Sequence, residues 1–297
     1  MSEKIALSLD KIEEMLESDP SLIRFLEPQS ETLQRMAINC YYEKHKKHKS
    51  NTWYNSRYAS PLREFWEEHI AGHTNSREVK LLALSFDANL MELFHEYSAD
   101  PEFQKTAIDS AKGRGIFEFF TDVSPEVMSL GIKKWYSAMT DYVLEMPNPP
   151  TSLLEELIDE SYSTIYLISK SKFVTRDLLM RAVEVSGRAI NYIPDELIFP
   201  ELLETAIRTT PSAIKCINKP NDELVYLAID LQPSVVLDLG KPPKYEYQLA
   251  AVKKDGLLLR HFKSRARREV QYQAICQNPE ALKYVKNPTM EMKLIAG

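Results

Sequence analysis

The segment His69-Ile70-Ala71-Gly72-His73 places two imidazoles four residues apart, the spacing at which one helix face could offer both to a zinc ion. The glutamate of an HExxH site is missing and Gly72 weakens a helix. A third ligand would have to come from His45, His48 or Glu68. These histidines therefore read as surface residues on an irregular helix, and no metal or other cofactor is expected. Glu155/Asp159 and Glu156/Glu160 are carboxylate pairs at i, i+4, a spacing that suits acid–base work or a bound cation. Acidic residues just after Pro149-Pro150-Thr151 fit a capped, solvated first turn equally well. Cys40, Cys216 and Cys276 lie far apart with no CxxC spacing, which fits free thiols in a reducing compartment. Cys216 and Cys276 are expected at inner helix positions, where a thiol packs as a small hydrophobe. The single GxG, Gly113-Arg114-Gly115, lacks a third glycine, and no P-loop or Ser-His-Asp elbow accompanies it. The chain reads as a non-enzyme.

Two basic runs suggest recognition instead. Lys253, Lys254, Arg260, Lys263, Arg265, Arg267 and Arg268 stand against Asp255 alone within 253–268, an edge for an anionic partner if they lie together. Lys44, Lys46, Lys47, Lys49 and Arg57 are interleaved with Tyr41, Tyr42, Trp53, Tyr54 and Tyr58, with Phe65 and Trp66 just beyond. Aromatic and basic side chains together suit single-stranded nucleic acid or a protein hot spot. The whole-chain balance, 37 Lys+Arg against 43 Asp+Glu for a net charge of −6, favours protein. Partner contact is accordingly expected at Trp53, Tyr54, Tyr58, Trp66, Lys46, Lys47 and Arg57. The competing expectation is that these rings cap the N-terminal core. Residues 141–160 carry six acidic residues and no Lys or Arg, a negative patch that an acidic partner would avoid.

The elements that position these residues follow from composition and periodicity. With 297 residues, 44% hydrophobic and 27% charged, the chain has ample length to bury a core. Only 8 glycines, far below the usual share of about 7%, argue against a turn-rich β-sandwich. Charges in MSEKIALSLDKIEEML stand where a signal peptide needs an apolar stretch, and apolar runs are too short to span a bilayer, so a cytoplasmic protein is expected.

A small residue followed by an aliphatic one, then apolar residues at offsets +7, +8 and +11, recurs along the chain. Ala274-Ile275 leads to Ala281, Leu282 and Val285, and Ala251-Val252 to Leu258, Leu259 and Phe262. The same register starts at Ala228, Ala206 and Ala182 and, more loosely, at Leu157, Gly131 and Ala83, while Ala107-Ile108 slips by one residue. Anchors from 83 to 296 are spaced 22 to 26 residues apart, and Met15-Leu16 and Ala37-Ile38 rejoin the series. Each period predicts two short helices, the second opened by a dipeptide such as Asp19-Pro20, Thr210-Pro211, Gln232-Pro233 or Asn278-Pro279. One such unit buries too little surface to stand alone, so units must stack. The expected fold is all-α, an α-solenoid of short two-helix repeats. It comprises N-terminal repeats over 1–40, an irregular aromatic and basic insertion or degenerate repeat over 41–75, and the main array over 76–297.

Units such as AICQNPEALKYVKNPTMEMKLIA resemble the short tandem repeats of a domain-of-unknown-function family, with a consensus like AVKQNGYALQYVKNQT, found in phage, giant-virus and bacterial proteins. The resemblance is best over 176–296 and weaker over 76–175 and 8–38; proline or serine mostly replaces the glycine before the second helix. It implies a helical-repeat fold and a viral or mobile-element setting, and brings no catalytic residues. The expected function is a protein-binding scaffold, a phage or mobile-element factor that sequesters or inhibits a host protein. A nucleic-acid-binding solenoid is the alternative. No membrane contact is expected, and self-association is left open.

Overall fold

Alanine at most of the anchors lets two helices approach closely, and the aliphatic residue beside it fills the gap. In the computed structural model, which describes residues 8–26, 28–46, 61–74, 76–240, 243–262 and 266–297, these pairs are buried. Ala83-Leu84, Ala107-Ile108, Leu157-Ile158, Ala182-Val183, Ala206-Ile207, Ala228-Ile229, Ala251-Val252 and Ala274-Ile275 are all at most 2% exposed. The described residues are helical or irregular, with no strand among them. No helix among them is long and apolar enough to cross a membrane.

The chain divides into two compact units, Met1–Met139 and Thr140–Gly297. The first holds α1 (Leu9–Ser18), α2 (Glu31–His45), α3 (Pro61–His69), α4 (Arg77–Phe86) and α5 (Pro101–Ser110). Next, α6 (Pro125–Glu145) begins in the first unit. The second unit holds α7 (Thr151–Glu160), α8 (Ile165–Ser169), α9 (Arg176–Val185), α10 (Pro200–Thr209) and α11 (Asp222–Leu231). It continues with α12 (Tyr245–Lys254), α13 (Leu259–Phe262), α14 (Arg268–Gln277) and α15 (Met290–Ile295).

Within a period, a 10-residue α-helix is followed by one extended residue and then a short 3-10 helix. That extended residue does two jobs. The amide of Asn278 donates to the Ala274 carbonyl, closing α14, and its side chain accepts from the Glu280 amide, opening the 3-10 helix Pro279–Tyr284. Asp19, Asp87 and Asp255 repeat this arrangement. Proline can follow directly, because the first residue of a helix has no use for its N–H. Second helices are thus mostly 3-10, whose 3.0 residues per turn still bury the +7/+8 pairs Ala189-Ile190, Ala213-Ile214 and Val235-Val236. After Ala107 the register slips by two residues and not one, since the buried pair is Ile116-Phe117. Trp135, four residues after Gly131, holds the joint position inside α6, where its φ of −143° and ψ of 45° break the helix.

Packing between periods is regular. In the second unit α7 packs on α9, α9 on α10, α10 on α11, α11 on α12 and α12 on α14. These helices run parallel. At their N-terminal ends Arg176 meets Glu201 at 3.2 Å and the Tyr247 hydroxyl donates to Asp222. At the other ends Lys254 pairs with Asp230, and Gln277 Nε2 donates to the Lys254 carbonyl. Helix C-termini leave carbonyls unpaired, and the next period supplies donors: Ser110 Oγ to Leu84, and Lys134 Nζ to Ile108 and Asp109.

Glutamines three residues before the anchor, buried at 34, 104 and 248 and half-buried at 271, tie down the connecting segments. Gln104 is fully buried and donates to the Ser98 and Thr121 carbonyls at 2.7 Å each. Gln34 reaches Gln29 and His73, Gln248 reaches Pro243, and Gln271 reaches Ala266.

In the first unit α2 packs on both α1 and α4, so no further first helix separates them. Meanwhile α3 packs on the 3-10 helix Pro20–Phe25, as one second helix does on the next. Among the described residues α2, lengthened to 15 residues, and α3 therefore act as the first and second helices of one enlarged period.

Candidate functional site

A cavity of about 260 Å³ lies beside the enlarged period. It lies where the start of the 3-10 helix Pro20–Phe25, the C-terminal part of α2 and one face of α3 meet. A column of rings forms one side: His45 stacks on Tyr41 with centroids 4.1 Å apart, Tyr41 on Phe65 at 4.3 Å, and His69 meets Phe65 edge-on at 5.2 Å. The Tyr41 hydroxyl donates to the Pro61 carbonyl, which ties α2 to the first residue of α3. Burial, then the nearby Glu64 and Glu68 carboxylates, push the Tyr41 phenol above its usual range and keep it neutral.

Around the rings stand the carboxylates of Asp19, Glu64 and Glu68. Glu64 and Glu68 are exposed and share a face of α3 by their i, i+4 spacing. Hydrogen bonds from the Ser21 hydroxyl and amide hold Asp19 below the ordinary carboxylate range. The lining cation, Lys44, donates to the Ser18 carbonyl at 2.6 Å. His69 is 9% exposed; its Nε2 lies 3.5 Å from Glu68, and its Nδ1 is buried with no hydrogen-bond partner.

The residues singled out by sequence fall in different places. Lys47, Trp53, Tyr54, Arg57 and Tyr58 lie outside the described residues, as do His48, Lys49, Lys263 and Arg265. Trp66, expected at a contact surface, is instead a core residue: 2% exposed, it meets the Phe94 ring edge-on at 5.0 Å and has no area to offer a partner. Lys46 pairs with Glu43 one turn back. His69 and His73 do not share a helix, because α3 ends at His69 and His73 lies exposed in the 3-10 turn Ala71–His73. No group of three or more His, Cys, Asp or Glu side chains with metal-binding geometry occurs among the described residues.

The basic run of 253–268 is divided by the parallel packing. Lys253 and Lys254 lie at the C-terminal end of α12, whereas Arg267 and Arg268 lie at the N-terminal end of α14, one helix length away. A 10-residue helix spans about 15 Å. Lys254 is paired with Asp230, Arg267 sits over the Tyr245 ring at 4.5 Å, and Arg268 donates to the Asn287 carbonyl. Arg260 donates to His261 in α13. In the acidic stretch, Asp159 accepts both hydrogen bonds of an Arg181 fork, a junction between α7 and α9.

Two cysteine expectations are corrected. Cys276 is exposed and Cys216 half-buried, because Ala274-Ile275 and Ala213-Ile214 occupy the buried arc and the following residues turn outward. At half-buried Cys40, burial and then Glu17 and Glu13 push the thiol up, opposite to what a nucleophile needs.

Comparisons with protein-family models, with curated proteins and with solved structures find no match to this chain.

Proposed function

We propose that this protein is a non-enzymatic helical-repeat scaffold, its periods stacked as an α-solenoid, that binds another protein. The observation supporting this reading is the parallel, side-by-side packing of successive first helices, whose outer faces carry charge while their anchors are buried. Stacked periods of this kind give an extended surface for recognition. Residues toward the N-terminus interrupt the regularity with the enlarged period, and its aromatic and basic stretch at 41–58 is the favoured contact. The role as a phage or mobile-element factor that sequesters or inhibits a host protein rests on the repeat-family resemblance.

The test is quantitative binding to proteins recovered from host cells, comparing the wild type with a Trp53→Ala/Tyr54→Ala variant of unchanged melting curve. Loss of binding with stability intact supports the contact surface; loss of stability assigns these rings to the core. Tight oligonucleotide binding that weakens steeply with salt would replace protein by nucleic acid as the partner.

A further inference from the structure

We propose that a second copy of this chain docks on α15, the exposed faces of the two α15 helices packing side by side and in parallel. The other junctions show which face this is. Residues six and two before an anchor point at the following first helix: Arg77 meets Glu102 at 2.7 Å, Arg176 meets Glu201, the Tyr245 hydroxyl reaches Glu269, and the Tyr226 ring meets Tyr247 edge-on at 5.7 Å. Counted back from Ala296, the same two positions in α15 are Met290 and Leu294. They are 74% and 76% exposed, whereas Met292 is buried where α15 packs on α14. A face that a repeat array leaves to water is ordinarily polar; this one offers two large apolar side chains.

Charge selects the occupant and its direction. A head-to-tail neighbour would bring up α1, where the positions that Glu201, Tyr247 and Arg181 hold in other periods are Asp10, Lys11 and Glu14, all exposed. Pressed on Met290 and Leu294, these charges would lose water and gain no partner. The α15 face instead matches itself. At about 100° per residue, Glu291 and Lys293 stand on opposite flanks of the apolar stripe, and both are exposed. A twofold axis parallel to the helix sets Met290 and Leu294 against their equivalents and brings Glu291 of each copy to the flank of the other copy's Lys293, a self-complementary contact. An antiparallel pair would oppose Glu291 to Glu291 and Lys293 to Lys293. Parallel pairing also continues the way first helices meet throughout the second unit. Two large side chains a copy cover far less than the roughly 800 Å² per partner of a stable interface, so the dimer is a weak one.

Sedimentation equilibrium on the full chain over about 0.01–1 mM spans the dissociation constants of so small a contact. The average mass should climb toward twice that of the monomer across this range. Met290→Glu/Leu294→Glu changes two exposed residues and should stay monomeric throughout with an unchanged melting curve. Glu291→Lys and Lys293→Glu should each weaken the dimer by at least about threefold, since each turns both ion pairs into like-charge contacts, and the two together should restore it. If the Met290/Leu294 variant unfolds, this loss and rescue decide the matter. A wild type that stays monomeric, a dimer untouched by Met290→Glu/Leu294→Glu, or single reversals that leave association unchanged would overturn the proposal. The measurement needs no other protein, so its failure leaves the protein-binding reading standing.

Discussion

Gly187→Ala is the sharpest test of how the periods pack. A Cβ at Gly187 would stand 2.0 Å from the Ala206 carbonyl oxygen and 2.9 Å from both the Ala206 carbonyl carbon and Thr210 Cβ. The blocking atom is a backbone oxygen in the last turn of α10, so no rotamer change relieves it. To reach even 3.0 Å, the 3-10 helix Gly187–Tyr192 and α10 must part there by about 1 Å. A gap of 0.5–1 Å forfeits about a quarter to a half of each dispersion contact it opens, and overpacking of this kind costs about 1–3 kcal/mol. The Gly187 amide also donates to Thr210 Oγ1 at 3.1 Å, a bond worth roughly 1 kcal/mol that the shift breaks. The expected loss is about 2–4 kcal/mol, or a melting temperature roughly 5–15 °C lower at about 2–4 °C per kcal/mol. Prolines 211, 233 and 279 hold the equivalent position elsewhere. Lacking an N–H, they cannot make this bond. Gly256→Ala should behave alike, with Ala274 O at 2.3 Å and the Gln277 bond at stake. Gly72→Ala, with nothing within 4 Å, is the control and should change stability by less than about 1 kcal/mol. Thermal and urea unfolding followed by circular dichroism measure all three. A Gly187→Ala protein as stable as the control would refute the close junction.

Gln104→Leu should cost about 1–3 kcal/mol by urea unfolding, since it removes the side-chain donor to the Thr121 carbonyl and one of the two donors to the Ser98 carbonyl, which keeps the Thr121 amide; a neutral result would remove the clamp. Trp66→Ala should cost about 3–5 kcal/mol as a large core truncation, and a melting curve like the wild type's would return that ring to the surface. Burial raises the Asp100 and Glu96 carboxyls, but hydrogen bonds from Arg77 and the Glu102 and Phe103 amides, and from Lys80, outweigh it and hold both below their ordinary values. Depressed folded values contribute stability that is present above the ordinary carboxylate range near pH 4 and lost as pH falls through them. The urea midpoint should therefore drop from pH 5 to pH 3 by less in Asp100→Asn than in the wild type, and equal drops would refute the assignment. Dialysis against a chelator should leave the melting temperature unchanged, and a clear drop would reveal a structural metal.

The small-aliphatic anchors and the +7/+8 pairs were legible in the chain because burial of a helix face demands apolar residues at fixed offsets, whatever the neighbours are. Proline placement marked the start of the second helices for the same local reason. The 3-10 form of those helices depended on one extended residue closing one helix and capping the next, a geometry that residue types alone do not announce. Cys276 follows directly on a buried pair and turns outward, a matter of rotation about the helix axis that composition cannot express. Neighbours in sequence also parted in space: Lys254 and Arg267 belong to one basic run, yet parallel packing sends them to opposite helix ends. The cavity shows the converse, since Asp19 from the joint after α1, His45 from α2 and Glu64 from α3 meet because α3 packs on the 3-10 helix after α1. Local pattern reports which face of an element is buried, and only the packing of elements decides which polar residues of different periods share one wall.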